Sequence, residues 1–160
     1  MKISTNFLKG YVLPILVLTT LSGCLYKTAA KNMMDNAYTE AIISTKVDAL
    51  LLMDKAVDDI NNYEDEVEAL IADFRKAYEY QKIRKKSHSG LKTYELMLNE
   101  NKPLLMGFIK NWKRGTIIDE EIKLAKQRVE EGFDVLIMFT YRRVSETDIA
   151  AGIRFIKKYE

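Results

Sequence analysis

Three groups of residues in this chain have side chains able to do chemistry, and each sets its own test. Cys24 is the only cysteine, and a thiolate is the strongest nucleophile among the common side chains. Asp58, Asp59, Glu64, Asp65, Glu66 and Glu68 crowd carboxylates into one short stretch. Paired carboxylates on either side of a sugar perform glycosidase-type acid and base work. Trp112 stands with Lys110, Lys113 and Arg114 at the end of "LLMGFIKNWKR". An aromatic ring rimmed by cations suits a partner protein or a headgroup layer. His88 is the single histidine, in "KKSHSG". With no second His, no thiol to pair with it and no Glu-x-x-His spacing, no metal site is expected, and no cofactor. Glycine-rich phosphate loops and the G-x-S-x-G nucleophile elbow are missing, and no Ser or Thr has a His and Asp arranged to activate it.

The elements that would position these residues read as helices. Leu50, Met53, Val57, Ile60, Glu64, Val67, Ile71, Phe74 and Tyr78 step by threes and fours, a heptad seam with one charged interruption. No Gly or Pro falls between Leu25 and Ser89, so one helix is expected over about 33–85, roughly 75–80 Å long at 1.5 Å per residue. Such a helix needs a partner along its apolar stripe. A short helix over about 89–99 follows the "SHSG" break, and "NENKP" ends it. Pro103 then opens a helix over 103–114, closed by Gly115. Thr116 with Asp119, and Ser145 with Asp148, predict capping boxes for the last two helices. Ile118, Ile122, Ala125, Val129, Leu136 and Phe139 mark the inner face of the first. Ile149, Ile153, Ile156 and Tyr159 mark that of the second. The fold class is all-α: an elongated helical bundle with one long N-terminal helix and several shorter helices folding back on it.

The charge of residues 24–160 is balanced, 23 basic against 23 acidic, but segregated. Residues 24–80 hold 6 basic and 12 acidic side chains, residues 81–114 hold 9 and 2, and residues 115–160 hold 8 and 9. The basic middle owes most to Lys82, Arg84, Lys85, Lys86, Lys92, Lys110, Lys113 and Arg114. Overall neutrality argues against nucleic-acid binding. The segregation predicts an acidic helix packed beside a basic one, with an anionic surface as the other use of the basic block. The runs 104–112 and 133–141 are apolar around most of a helix, which suits either the bundle centre or a contact surface.

The N-terminal stretch gives Cys24 its context. "MKISTNFLKG" is a short positive flank, "YVLPILVLTT" an apolar run broken by Pro14, and "LSGC" ends it. This order resembles the signal peptide of bacterial lipoproteins, with Leu21, Ser22, Gly23 and Cys24 matching the lipobox. The resemblance covers residues 1–24 alone. It implies cleavage before Cys24, a diacylglyceryl thioether on its sulfur, and Cys24 as the first residue of the mature protein. Small Ser22 and Gly23 fit an extended backbone entering a peptidase cleft. Multiple acyl chains give stable anchoring at about 0.8 kcal/mol per buried methylene.

These readings divide the chain into a signal peptide (1–23), a lipidated tether (24–32) and one helical domain (33–160). The expected protein is non-enzymatic, anchored in the cell envelope outside the cytoplasm through Cys24. With Leu25 rather than Asp after the cysteine, a Gram-negative host implies the outer membrane, facing the periplasm. Its expected role is binding, adaptor or exclusion/immunity work on a protein partner in the envelope, with a homo-oligomer as one form. The alternative is a cell-wall-acting enzyme, or a regulator of one, using Asp58, Asp59, Glu64 and Asp65.

Overall fold

A backbone that lacks glycine and proline over sixty residues still breaks where short polar side chains compete for its hydrogen bonds. In the computed structural model, which describes residues 35–84, 87–140 and 144–160, helix α1 (35–53) gives way to two 3-10 turns, Asp54–Val57 and Ile60–Tyr63. Helix α2 (Glu64–Arg84) starts afresh after them. The expected continuous helix over 33–85 is therefore interrupted. The cause is local. "DDINN" sets two Asp and two Asn side by side, and the Asp59 carboxylate accepts from the Asn61 amide at 2.9 Å, an alternative to the helical bond. Distant residues complete the break. The Trp112 indole N–H donates to the Asp58 carbonyl at 2.8 Å, and the Ile117 amide to the Ala56 carbonyl at 2.9 Å.

Four further helices follow: α3 (His88–Met97), α4 (Leu105–Trp112), α5 (Asp119–Met138) and α6 (Glu146–Tyr159). The described residues contain no strand, and the fold is an all-α helical bundle. Almost all of them belong to one compact unit, Tyr38–Glu160. Helix α3 is central, touching α2, α4, α5 and α6, and its Tyr94 and Met97 are fully buried. The Phe74 ring lies 5.0 Å from that of Tyr94 and 5.4 Å, edge-on, from that of Phe133. One aromatic cluster thus joins α2, α3 and α5, in the offset and edge-on geometries that rings prefer.

Caps and faces follow the sequence in part. Ser145 and Asp148 form the expected capping box on α6, and Gly115 ends the α4 segment at a φ of +155°. The Thr116–Asp119 box does not form, because α5 begins at Asp119 itself behind Ile118, which makes no side-chain cap. On α6 the buried face is Gly152, Phe155 and Tyr159, while Ile149 and Ile153 face outward. A Cβ on Gly152 would stand 2.7 Å from the Phe139 ring, so close approach at that glycine sets the helix's rotation. The cross-helix ion pairs also differ from the expected pairing of blocks. Lys46 meets Asp134 at 2.6 Å and Glu130 at 3.1 Å, and Lys126 meets Asp54 at 2.6 Å. These pairs tie α1 and the 3-10 turn after it to α5, rather than the acidic third to the basic one.

Candidate functional site

Tyr38, in the first described turns of α1, is where the chain enters the compact unit, and three polar groups meet there. The Tyr38 hydroxyl lies 3.2 Å from Gln81 Oε1 on α2 and 3.0 Å from the Tyr94 hydroxyl on α3. Each hydroxyl has one proton, so Tyr94 donates to Tyr38 and Tyr38 donates to Gln81. All three residues are buried. Burial pushes the Tyr38 phenol up to about 12, against the Tyr94 bond and the Arg84 guanidinium, which both pull it down. Burial raises the Tyr94 phenol further still, with the Tyr38 group adding to it. Both are neutral hydrogen-bonding groups at physiological pH rather than acids or nucleophiles.

Around this trio the end of the bundle is amphipathic. The Arg84 guanidinium lies 4.8 Å from the centre of the Tyr38 ring and 5.8 Å from that of Tyr80, a cation–π placement. The Tyr38 and Tyr80 rings are 4.7 Å apart. Next to Arg84, on the last turn of α2, Ile83 is 78 % exposed, the most open large apolar side chain among the described residues. Lys82 flanks it on the other side, bound to Glu79 at 2.9 Å. That bond, opposed by desolvation, raises the ammonium above its ordinary value. The Gln81 amide nitrogen sits over Gly90, where a Cβ would come within 2.9 Å of it. This is how closely α3 fits against α2.

The residues singled out in the sequence scatter. Trp112 is 1 % exposed; its indole bonds Asp58, and its ring packs 5.9 Å from Tyr63 and 6.3 Å from Phe108. It is a core residue and not the tip of a contact surface. Lys110 turns to Asn101 at 3.1 Å and Glu100 at 4.0 Å, whereas Lys113 and Arg114 are exposed. In the run 104–112 only Lys110 and Asn111 escape burial, and Phe133, Val135, Leu136, Phe139 and Thr140 are buried in the second run. Both runs are core. Asp58, Asp59, Glu64 and Asp65 are all exposed.

Open grooves among the described residues include two on the bundle's flanks. One, about 770 Å³, lies over α5 and the end of α6, walled by Leu124, Arg128, Lys158 and Tyr159. The other, about 340 Å³ between α1 and α2, has Leu52 and Leu70 inside it and Asp48, Glu66 and Asp73 at its edge. None of Asp58, Asp59, Glu64 and Asp65 lines either one. Among the described residues no three His, Cys, Asp or Glu side chains are placed to hold a metal ion, and no helix is long and apolar enough to cross a membrane. Leu21, Ser22, Gly23 and Cys24 lie outside the described residues.

The sequence pattern did not single out the Tyr38, Gln81, Tyr94 group. Its signal would have been a glutamine on the apolar stripe of α2, where burial demands a polar partner. No protein-family model matches this chain, and no curated protein or solved structure matches it either.

Proposed function

We propose that this chain is a lipid-anchored cell-envelope protein. Residues 1–23 are removed, Cys24 carries the acyl chains, and the helical body binds another envelope component without catalysis, as an adaptor or an exclusion/immunity protein. The observation that carries the reading is the order basic flank, apolar run, Leu21-Ser22-Gly23-Cys24. A buried structural cysteine would need none of it.

The body supports a binding role. Helix α1 is apolar on two sides: Ile42, Ala49 and Met53 face the core, while Ile43, Val47 and Leu51 are exposed at steps of four. Four-residue spacing stacks side chains along one helix face, so the second strip is open to a partner. Asp58, Asp59, Glu64 and Asp65 stand in solvent outside both grooves, and Glu66, at the edge of the groove between α1 and α2, is paired with Lys55 at 2.7 Å; no observation favours that alternative.

The test is metabolic labelling with a radioactive fatty acid in a bacterial host, comparing the natural chain with Cys24→Ala. The natural chain should take up label and shorten to the processed form, and the variant should do neither. Normal processing and unchanged membrane partitioning of Cys24→Ala would refute the anchor. Photo-crosslinking from Val47 in the native membrane then tests the binding role. Recovery of self-crosslinks alone would favour a homo-oligomer over a separate partner.

A further inference from the structure

A lipid anchor fixes one point of a protein but not the face it turns to the bilayer. We propose that the bundle rests on the lipid surface through the end where the chain enters it, with Ile83 dipping into the headgroup layer beside Lys82. This rests on the lipidation of Cys24 proposed above and adds the orientation of the body.

Four observations point to that end. First, covalent reach favours it. Ten residues lie between Cys24 and Asp35, the first described residue, so eleven Cα–Cα steps give a span of about 36–40 Å at full extension. Tyr38 meets Gln81 directly, so the end bearing Ile83 is the end the anchored chain reaches first. Placing the opposite end on the bilayer would make the tether run back along α1, about 22 Å from Tyr38 to Met53 at 1.5 Å per residue. Second, Ile83 is the most open large apolar side chain described, and its neighbours in sequence are both cationic. The Arg84 guanidinium is turned inward onto Tyr38 and Tyr80, so Ile83 projects beside one surface cation, Lys82, whose long stem can snorkel at a membrane interface.

Third, that end carries a second open apolar residue, Ile149, beside Glu146 and Asp148 in the first turn of α6, a turn brought there because Gly152 packs on Phe139 and Phe139 on Gly90, the residue under Gln81. Fourth, the opposite end is acidic. Asp54, Asp58, Asp59, Glu64, Asp65 and Glu66 gather at the break against Lys55, and Asp119, Glu120 and Glu121 open α5 beside them. Lys113, Arg114 and the exposed Ile118 also lie at that opposite end, but the carboxylates outnumber the cations. An anionic bilayer would repel it. The outer strip of α1 fares no better, because Glu40, Ser44 and Asp54 flank Ile43, Val47 and Leu51. Tethering makes a weak contact sufficient, since a short linker holds the body at an effective concentration in the millimolar range.

The test uses the full processed lipoprotein in vesicles of phosphatidylethanolamine with one-quarter phosphatidylglycerol. Because Cys24 is then blocked as a thioether, a single new cysteine can be labelled alone. His88→Cys reports on the entry end, Asp59→Cys on the opposite end and Val47→Cys on the outer strip; all three positions are exposed. Lipid-borne nitroxide should quench the dye at 88 at least about twofold more than the dyes at 59 and 47. Adding Ile83→Glu should return the dye at 88 to the level of the others, while Ile83→Leu should not. Stronger quenching at 47 or 59, or no effect of Ile83→Glu, would overturn the proposed orientation. Flotation reports on the anchor separately: protein that does not float with the vesicles refutes lipidation, whereas protein that floats with 88 unquenched refutes the orientation alone.

Discussion

Replacing Gly107 by alanine separates two accounts of residues 104–112, as a packed helix or as an open surface. In an exposed helix the change would stabilise by about 1 kcal/mol through helix propensity. Here the new Cβ would lie 1.9 Å from the Lys102 carbonyl oxygen and 3.3 Å from that of Glu100. Ordinary contact begins at 3.4 Å. The Lys102 oxygen cannot withdraw freely, because it accepts the Leu104 amide at 2.8 Å and Leu104 is fully buried. Overpacking costs about 1–3 kcal/mol, and a strained turn hydrogen bond about 1 kcal/mol more. Subtracting the propensity gain leaves a loss of about 2 kcal/mol, or roughly 6–10 °C in Tm for a unit of this size. Urea unfolding followed by Trp112 fluorescence and far-ultraviolet dichroism measures it, since Trp112 is the only tryptophan and lies on the same helix. Gly115→Ala is the control: nothing lies within 4 Å of its Cβ, and only its φ of +155° resists, for about 1 kcal/mol. A Gly107→Ala chain as stable as its parent, or more so, would refute the close packing of residues 99–104 on α4.

Tyr38→Phe should cost about 1–3 kcal/mol, because it strands the buried Gln81 Oε1; equilibrium unfolding checks this. The same residue predicts an alkaline limb. A phenol raised to about 12 in the folded chain contributes stability that is complete below the ordinary value of 10.0 and is lost as pH climbs toward 12. Tyr38→Phe should make that loss shallower without abolishing it, because the buried Tyr94 phenol is raised as well, and a parent chain with level stability from pH 10 to 12 would contradict the buried trio. At the acid side, the Ser145 hydroxyl and amide hold the Asp148 carboxyl below its ordinary value of 3.8. Its support for α6 is therefore present above that pH and lost as pH falls through the lower folded value. Ser145→Ala should lower amide protection in the first turn of α6 by about fivefold near neutral pH, read by hydrogen exchange.

The legible parts of the fold are those set by local chemistry. "NENKP" ended α3, Ser145 capped α6, and the two strongly apolar runs became core. What escaped the sequence was set by residues far away. The heptad seam carried Val57 and Glu64 through the break as if α1 continued, and both are exposed. The competing signal was the four Asp and Asn residues of "DDINN", and their effect is completed by Trp112 and Ile117 from more than fifty positions along the chain. The same docking explains the missing Thr116 cap. Residues 116–118 follow the break instead of coiling into α5, because the Ile117 amide is held by Ala56. Trp112 was misplaced for a related reason: an indole beside three cations fits a membrane rim, and only the third dimension reveals the carbonyl it serves.

A chain with one cysteine cannot form an internal disulfide, a link that contributes about 2–4 kcal/mol in many exported proteins of this size. The bundle relies on close helix approach instead. Gly132 lets α5 come against Met97 and Phe155, where a Cβ would meet the Met97 sulfur at 2.7 Å and the Phe155 ring at 3.1 Å. Gly152 does the same for α6 against Phe139. These contacts join α3, α5 and α6, while α1 is held by the Tyr38 trio at one end and by Asp54–Lys126 and the Ala56–Ile117 bond at the other. If the anchor pulls on the body, it pulls through α1. Near the start of the described chain that path meets two buried phenols and a buried amide, and hydrogen bonds in a buried setting are costly to break. The polar trio at the entry end thus does for the start of α1 what a disulfide would do elsewhere, and its disruption should loosen the body from that end inward.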